Sequence, residues 1–248
     1  MLLPLADFDP TESAVPWRVL TDAGHTVHFA TEDGGVAHCD PKTLTGDGLR
    51  PWGLVLRAKA GDRELYGAMA QDQAFLNPVA WADINPRDFG ALILPGGHAP
   101  GMKPYLESDE VSRIIVDFFM REDPVAAVCH GVLAVARAKW QETQLSVLFG
   151  RQTTALNNLQ ETSAVIMTTP FLGNHYKTYP ISVQDEVTGL LEKAEHFHSG
   201  PVLPRFGTAA NPTVGFTLRD RNYLSARWPG DVHRWAHEFS AMLSEDRA

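Results

Sequence analysis

The chain has 248 residues, 44% hydrophobic and 21% charged, with 21 Lys plus Arg against 30 Asp plus Glu for a formal charge of −9 with neutral His. That composition belongs to a folded globular protein and excludes a disordered chain, a coiled coil, and a protein that holds nucleic acid or anionic lipid by bulk charge. With only Cys39 and Cys129 there is no secreted disulfide framework, and neither a signal peptide nor a membrane-spanning run is legible, so a soluble cytoplasmic setting without nucleic-acid or membrane partners is expected.

In chain order, the apolar run 2–5 reads as a strand, 15–23 carries apolar positions at helical spacing, and 25–31 alternates like a second strand before Gly34 and Gly35 turn the chain. Strand, helix and strand over that span make a βαβ unit. The stretch 36–87 is irregular, with one helical pattern at 64–74, and reads as a cap inserted into a single domain covering 1–248. Regularity returns with a buried-strand run at 90–94, an amphipathic helix at 108–121 with Ser108 as N-cap, a second apolar run at 124–128 and a helical pattern at 131–139. Continuous apolar strands alternating with helices imply a doubly wound, mostly parallel α/β sheet of flavodoxin-like type, with helices on both faces. Further along, 153–156 reads as a strand, 159–168 and 184–193 as helices, 199–212 as a loop, 215–218 with 223–227 as a hairpin, and 231–243 as a closing helix.

In such a sheet the functional groups gather at the carboxyl ends of the strands. Glu12, Gly96-Gly97-His98, Cys129-His130-Gly131 and Trp228-Pro229-Gly230 all fall at that edge. Cys129 has Ala127 two residues before it and Gly131 two after it, the pattern that lets a chain turn sharply from strand into helix with a nucleophile at the bend. A thiol at a helix N-terminus beside an imidazole is expected to have a lowered pKa; the structural alternative is a small buried residue ending a core strand. Asp9-Pro10-Thr11-Glu12 reads either as a helix start with Pro10 in the first turn or, because Pro16 would then fall inside that helix, as a turn ahead of a helix capped by Ser13. On that turn, Glu12 beside a thiolate would hold its proton and donate a hydrogen bond. The backbone N–H groups at Gly97 and His130 are candidates for an oxyanion hole. His98, as a loop histidine, is expected to be exposed, although it stands at the same edge. Cys39, between His38 and Asp40 in a loop, lacks a second ligand pair at metal spacing and reads as structural or incidental, so no metal is expected.

The segments Thr11-Glu12, LTDAGHTVHFATEDGG at 20–35, LPGGH at 94–98 and AVCHG at 127–131 together resemble the ThiJ/PfpI superfamily of class I glutamine amidotransferase-like proteins. The long 36–87 segment and the LPGGH form resemble the larger bacterial members, a branch holding heat-shock chaperones and glutathione-independent glyoxalases, and NYLSARWPGD at 222–231 is similar to the family's last strand and turn. The resemblance implies Cys129 as nucleophile, His130 as its imidazole, Glu12 as the acid touching the thiol, and Gly97 with His130 as oxyanion donors. Gly96, His98, Asn158, Glu161 and Trp228 are the further pocket candidates. Two departures stand out: the late turn has no His-x-Glu, which speaks against glutamine hydrolysis, and Asn157-Asn158 occupy the place of the chaperone branch's third acid, with Glu161 nearby. The implied function is a cysteine enzyme acting on a small carbonyl, amide or ester substrate without a cofactor, as a hydrolase or a glyoxalase-like lyase. The alternative is an oxidation-sensing or chain-holding stress protein using the same thiol, and family likeness also implies a homodimer.

Overall fold

The structure is a computed structural model and describes residues 1–203 and 205–245; Pro204, in the expected 199–212 loop, lies outside them. The first residues run through the middle of a parallel array, where Leu2 donates its N–H to the Ile93 carbonyl (3.1 Å) and Leu3 donates to Ala30 (2.9 Å). The ladder of β1 (Ala6–Phe8) begins later than the apolar run 2–5, and it pairs in parallel with β3 (His38–Cys39). Cys39 therefore sits buried in a strand rather than in a loop. Of the alternating stretch 25–31 only β2 (Ala30–Thr31) forms a ladder, with β4 (Val79–Ala80). The main sheet has the order β5 (Leu92–Leu94), β6 (Val125–Val128), β8 (Tyr223–Ala226), β7 (Thr217–Asp220), parallel except for the β7–β8 hairpin. β5, β6 and β8 are buried along their whole length, as strands covered on both faces have to be.

The helices resolve the two readings of the N-terminal segment. α1 (Pro10–Asp22) starts at Pro10, because the Asp9 side chain accepts hydrogen bonds from the Thr11 and Glu12 N–H groups, so Ser13 is not the cap. Pro16 lies inside the helix, and Glu12 occupies its first turn, fully buried. The 36–87 segment carries α2 (Pro41–Thr45), α3 (Gly53–Leu56), α4 (Ala60–Met69) and α5 (Gln73–Leu76). Its expected helix at 64–74 is split because Asp72 caps a new start by accepting from the Ala74 N–H. α6 (Lys103–Leu106) leads into α7 (Asp109–Met120), where Ser108 caps as expected by accepting from Val111. α8 (His130–Arg137), α9 (Asn158–Leu172), α10 (Val183–Leu190) and α11 (Val232–Glu245) complete the set. α9 runs longer than its apolar pattern because Asn157 and Gln160 close a capping box at its start.

α1 packs against α4 and α11, while α8 packs against α6, α7 and α10 and rests on β5 and β6. The expected strand at 153–156 is reduced to a single bridge from Thr153 to Phe197. Thr154 instead spends its N–H on the Ser225 hydroxyl (3.0 Å) and its own hydroxyl on the His198 carbonyl (2.5 Å). Among the described residues no helix is long and apolar enough to cross a membrane.

Candidate active site

Cys129 stands at the bend between β6 and α8 with φ 56° and ψ −126°, a backbone conformation that a non-glycine residue holds only at a cost of about 1–3 kcal/mol. Gly131 makes the bend close: a Cβ there would run into the Leu94 carbonyl oxygen and lie 2.8 Å from that of Pro95. The bend sets the sulfur 3.6 Å from Nδ1 of His130. Both side chains are almost wholly buried.

Glu12 reaches the same point from the first turn of α1. Its Oε2 accepts the Gly96 N–H at 2.8 Å, and Oε1 has no hydrogen-bond partner. Gly96 is glycine for a steric reason, since a Cβ would sit 2.7 Å from the His130 nitrogen, 2.8 Å from the Cys129 Cβ and 2.9 Å from Glu12 Oε2. Four of the residues singled out in sequence thus converge on one spot. Gly97 adjoins them, packed so closely on the Asp7 carbonyl that a side chain would not fit.

Burial dominates the electrostatics. The Glu12 carboxyl is held well above the ordinary carboxylate range, first by desolvation and then by Asp9, while its contact with the Cys129 thiol and the Gly96 N–H work the other way. Burial therefore favours its neutral form, in the direction expected from the sequence. The Cys129 thiol departs from expectation: burial, then Glu12 and Asp9, push it well above the ordinary thiol value. The His130 N–H at the start of α8 opposes this, but a sulfur 1% exposed has no water to stabilise its anion, and desolvation wins. His130 is driven well below the usual imidazole value by burial, then by His98 and Arg137. The ring is thereby held in its neutral form.

His98 is not the exposed loop histidine anticipated. Its ring meets that of His130 edge-on with centroids 5.0 Å apart, and burial lowers its pKa to about 4. Cys129, His98 and His130 each bring one ligand atom within 4.8 Å of the others, the group among the described residues best placed to meet a metal ion.

Cys129 and His98 open onto a cavity of about 410 Å³ that is also lined by Glu12, Gly97 and Trp228, with His130 buried behind Cys129. Trp228 packs on Phe206 with ring centroids 4.5 Å apart. Its turn is fixed from behind by Arg227, whose Nε and Nη2 hold the two Asp231 oxygens at 2.8 and 3.1 Å in a pair with side chains 2% and 0% exposed. Asn158 and Glu161 do not join the site. The Asn158 amide donates to Asp185, and Glu161 accepts the Val183 N–H at 2.9 Å, so both serve the junction of α9 with α10.

Sequence reasoning missed part of the wall. Asp9, Asp40 and Asp62 line the cavity, and desolvation, with a smaller push from the Asp40 and Asp62 charges, raises Asp9 to about 7. Asp40 accepts from the Tyr176 hydroxyl (2.6 Å) and Asp62 pairs with His233 (2.9 Å). Asp9-Pro10 and Asp40-Pro41 did carry a signal, as Asp before Pro is a helix-start signature; Tyr176 and His233 carried none.

Comparison with known proteins identifies the family and the fold. The ThiJ/PfpI family-like profile matches residues 3–201. The chain is 24% identical over 247 residues to "Deglycase PfpI" of Pyrococcus furiosus, covering 98% of each protein. It is 25% identical over 163 residues to "Glutathione-independent glyoxalase hsp3102" of Schizosaccharomyces pombe, covering 63% of this chain and 62% of that one. In a further S. pombe relative the match spans 53% of that protein, about half its length. The crystal structure of glyoxalase III from Candida albicans superposes with a TM-score of 0.69 at 17% identity, covering 97% of this chain and 95% of that one, which is a likeness of fold.

Proposed function

The chain belongs to the ThiJ/PfpI family-like proteins, and from that premise we propose that it is a cysteine-dependent enzyme acting on carbonyl compounds, with α-dicarbonyls as substrates. The observation that carries this reading is Cys129 at a strained bend, 3.6 Å from the neutral His130 ring and against the neutral Glu12 carboxyl. A nucleophile and an acid line the cavity there, with a base against the nucleophile.

In the first step the sulfur adds to the aldehyde carbon while its proton passes to His130 Nδ1. The carbonyl electrons move onto oxygen, which faces the Gly97 and His130 N–H groups and takes the Glu12 proton. This gives a hemithioacetal. Glu12, now ionised, removes the hydrogen from that carbon and delivers it to the neighbouring one, whose oxygen receives the proton held by His130. Loss of the first hydroxyl proton back to Glu12 leaves a thioester of a 2-hydroxy acid. Water then attacks the thioester, releasing the acid and restoring the thiol. The sum is dicarbonyl plus one water giving one hydroxy acid, with no external oxidant or reductant. With the thiol raised and the imidazole lowered, the proton leaves the sulfur together with carbon–sulfur bond formation rather than before it.

Amide or ester hydrolysis draws less support, since the side chains standing in for a third acid, Asn158 and Glu161, are turned to α10. Cys129→Ser is expected to abolish methylglyoxal turnover measured as 2-hydroxy acid formed. Full activity in that variant would remove Cys129 as nucleophile.

A further inference from the structure

The cavity is larger than the smallest dicarbonyls require, and its polar and apolar parts do different work. At about 410 Å³ it falls in the range that takes drug-sized ligands rather than a three-carbon molecule. Its carboxylates are already engaged: Asp9 accepts from the N–H groups of α1, Asp40 from Tyr176 and Lys42, Asp62 from His233 and Asp7 from Gly101. Thr43, Arg57, Lys59, Gln160 and Ser163 also line the cavity, with the Lys59 ammonium 4.4 Å from the Phe206 ring centroid, so charge of both signs is present. The remaining lining is largely apolar: Leu56 from α3, Leu159, Ala164 and Met167 from α9, and the tilted ring pair Phe206 and Trp228. The apolar surface continues outward, with Val55, Leu159 and Val202 on the lining yet 52%, 56% and 76% exposed. Water contact at such side chains costs free energy that a ligand body recovers by covering them.

We propose that the substrate is an α-dicarbonyl bearing an aryl or branched alkyl body, its aldehyde carbon at Cys129 and its body between α9 and the Phe206–Trp228 ring pair. The proposal rests on the reading of Cys129 as nucleophile, so its test separates the two. In the wild-type protein, acetophenone should protect Cys129 from iodoacetamide, followed by peptide mass, at a concentration roughly tenfold or more below that of acetone, because each buried carbon adds to the preference. This readout needs no turnover. In turnover, kcat/KM should favour phenylglyoxal over methylglyoxal. Filling the wall with Ala164→Trp should lower that ratio about tenfold, and the ratio between variants cancels the different intrinsic reactivity of the two aldehydes. Far-UV circular dichroism checks that the variant is folded, and the protection measurement stands if it is not.

Equal protection by acetone and acetophenone, or a ratio unmoved in folded Ala164→Trp, overturns the apolar subsite whatever Cys129 does. Strong protection with neither glyoxal turned over overturns the substrate assignment through the nucleophile reading instead.

Discussion

Replacing Arg227 with Met should expose how the turn beneath the cavity is held. The guanidinium donates to both Asp231 oxygens and to the Ser199 and Pro201 carbonyls at 3.3 and 2.9 Å, with almost no water nearby. Methionine fills similar volume but leaves Asp231 buried without its cation, a loss of about 3–5 kcal/mol for a broken buried pair. For a chain of this size that corresponds to a fall in Tm of roughly 6 to 20 °C. The pH dependence follows from the direction of the Asp231 shift. Burial raises its pKa in the folded protein and Arg227 lowers it, so removing Arg227 raises it further. A carboxyl raised on folding stabilises the fold below its unfolded pKa and loses that contribution as pH rises through the folded value. The variant's deficit should therefore be largest near pH 8 and shrink on acidification, as Asp231 takes up a proton. Urea denaturation at several pH values measures this, and the double variant Arg227→Met with Asp231→Asn should recover most of the loss. A cost below about 1 kcal/mol at pH 8, or one independent of pH, would refute the argument that an uncompensated buried charge is responsible.

Three further outcomes follow from the same structure. Asp9, raised from 3.8 to about 7, should make stability fall as pH rises from about 4 to 7, by up to about 4 kcal/mol; Asp9→Asn keeps a good helix cap and should flatten that slope in denaturant titrations. Gly131→Ala should cost more than about 3 kcal/mol, because the obstacle is the Leu94 backbone carbonyl rather than a movable side chain, and an unchanged urea midpoint would mean that α8 can slide. Alkylation of Cys129 at pH 7 should be slower than that of free cysteine and still be rising beyond about pH 8.5, with a rate plateau below pH 7 as the contrary result.

The parts of the fold that were legible are those where local pattern and burial agree. β5 and β6 are continuous apolar runs because both faces are covered, Ser108 caps α7, and the glycine after Cys129-His130 marks the bend. The start of α1 stayed open in sequence because Pro16 argues against it locally, whereas the Asp9 cap and the burial of the whole first turn decide for it. Thr153 and Thr154 alternate like strand residues but find side-chain partners in place of a ladder. In the site, backbone-determined features were readable and environment-determined ones were not. His98 looks like a loop residue until His130 and Tyr176 close around it. The direction of the thiol shift depends on how completely water is excluded, which no spacing reveals.

The placement of β7 has a consequence for how copies of this chain can meet. It forms the outer edge of the main sheet, and its polar face is engaged: Asp220 accepts the Gln152 N–H and Arg219 pairs with Glu245 of α11. At the other margins β3 and β4 are two residues long. Short or side-chain-guarded margins deny a neighbouring molecule the row of free backbone groups that strand addition needs. Self-association by extending the sheet is thereby discouraged, and any pairing of two copies falls to helix and loop surfaces, leaving the strand ends that carry Cys129 to the chemistry of the cavity.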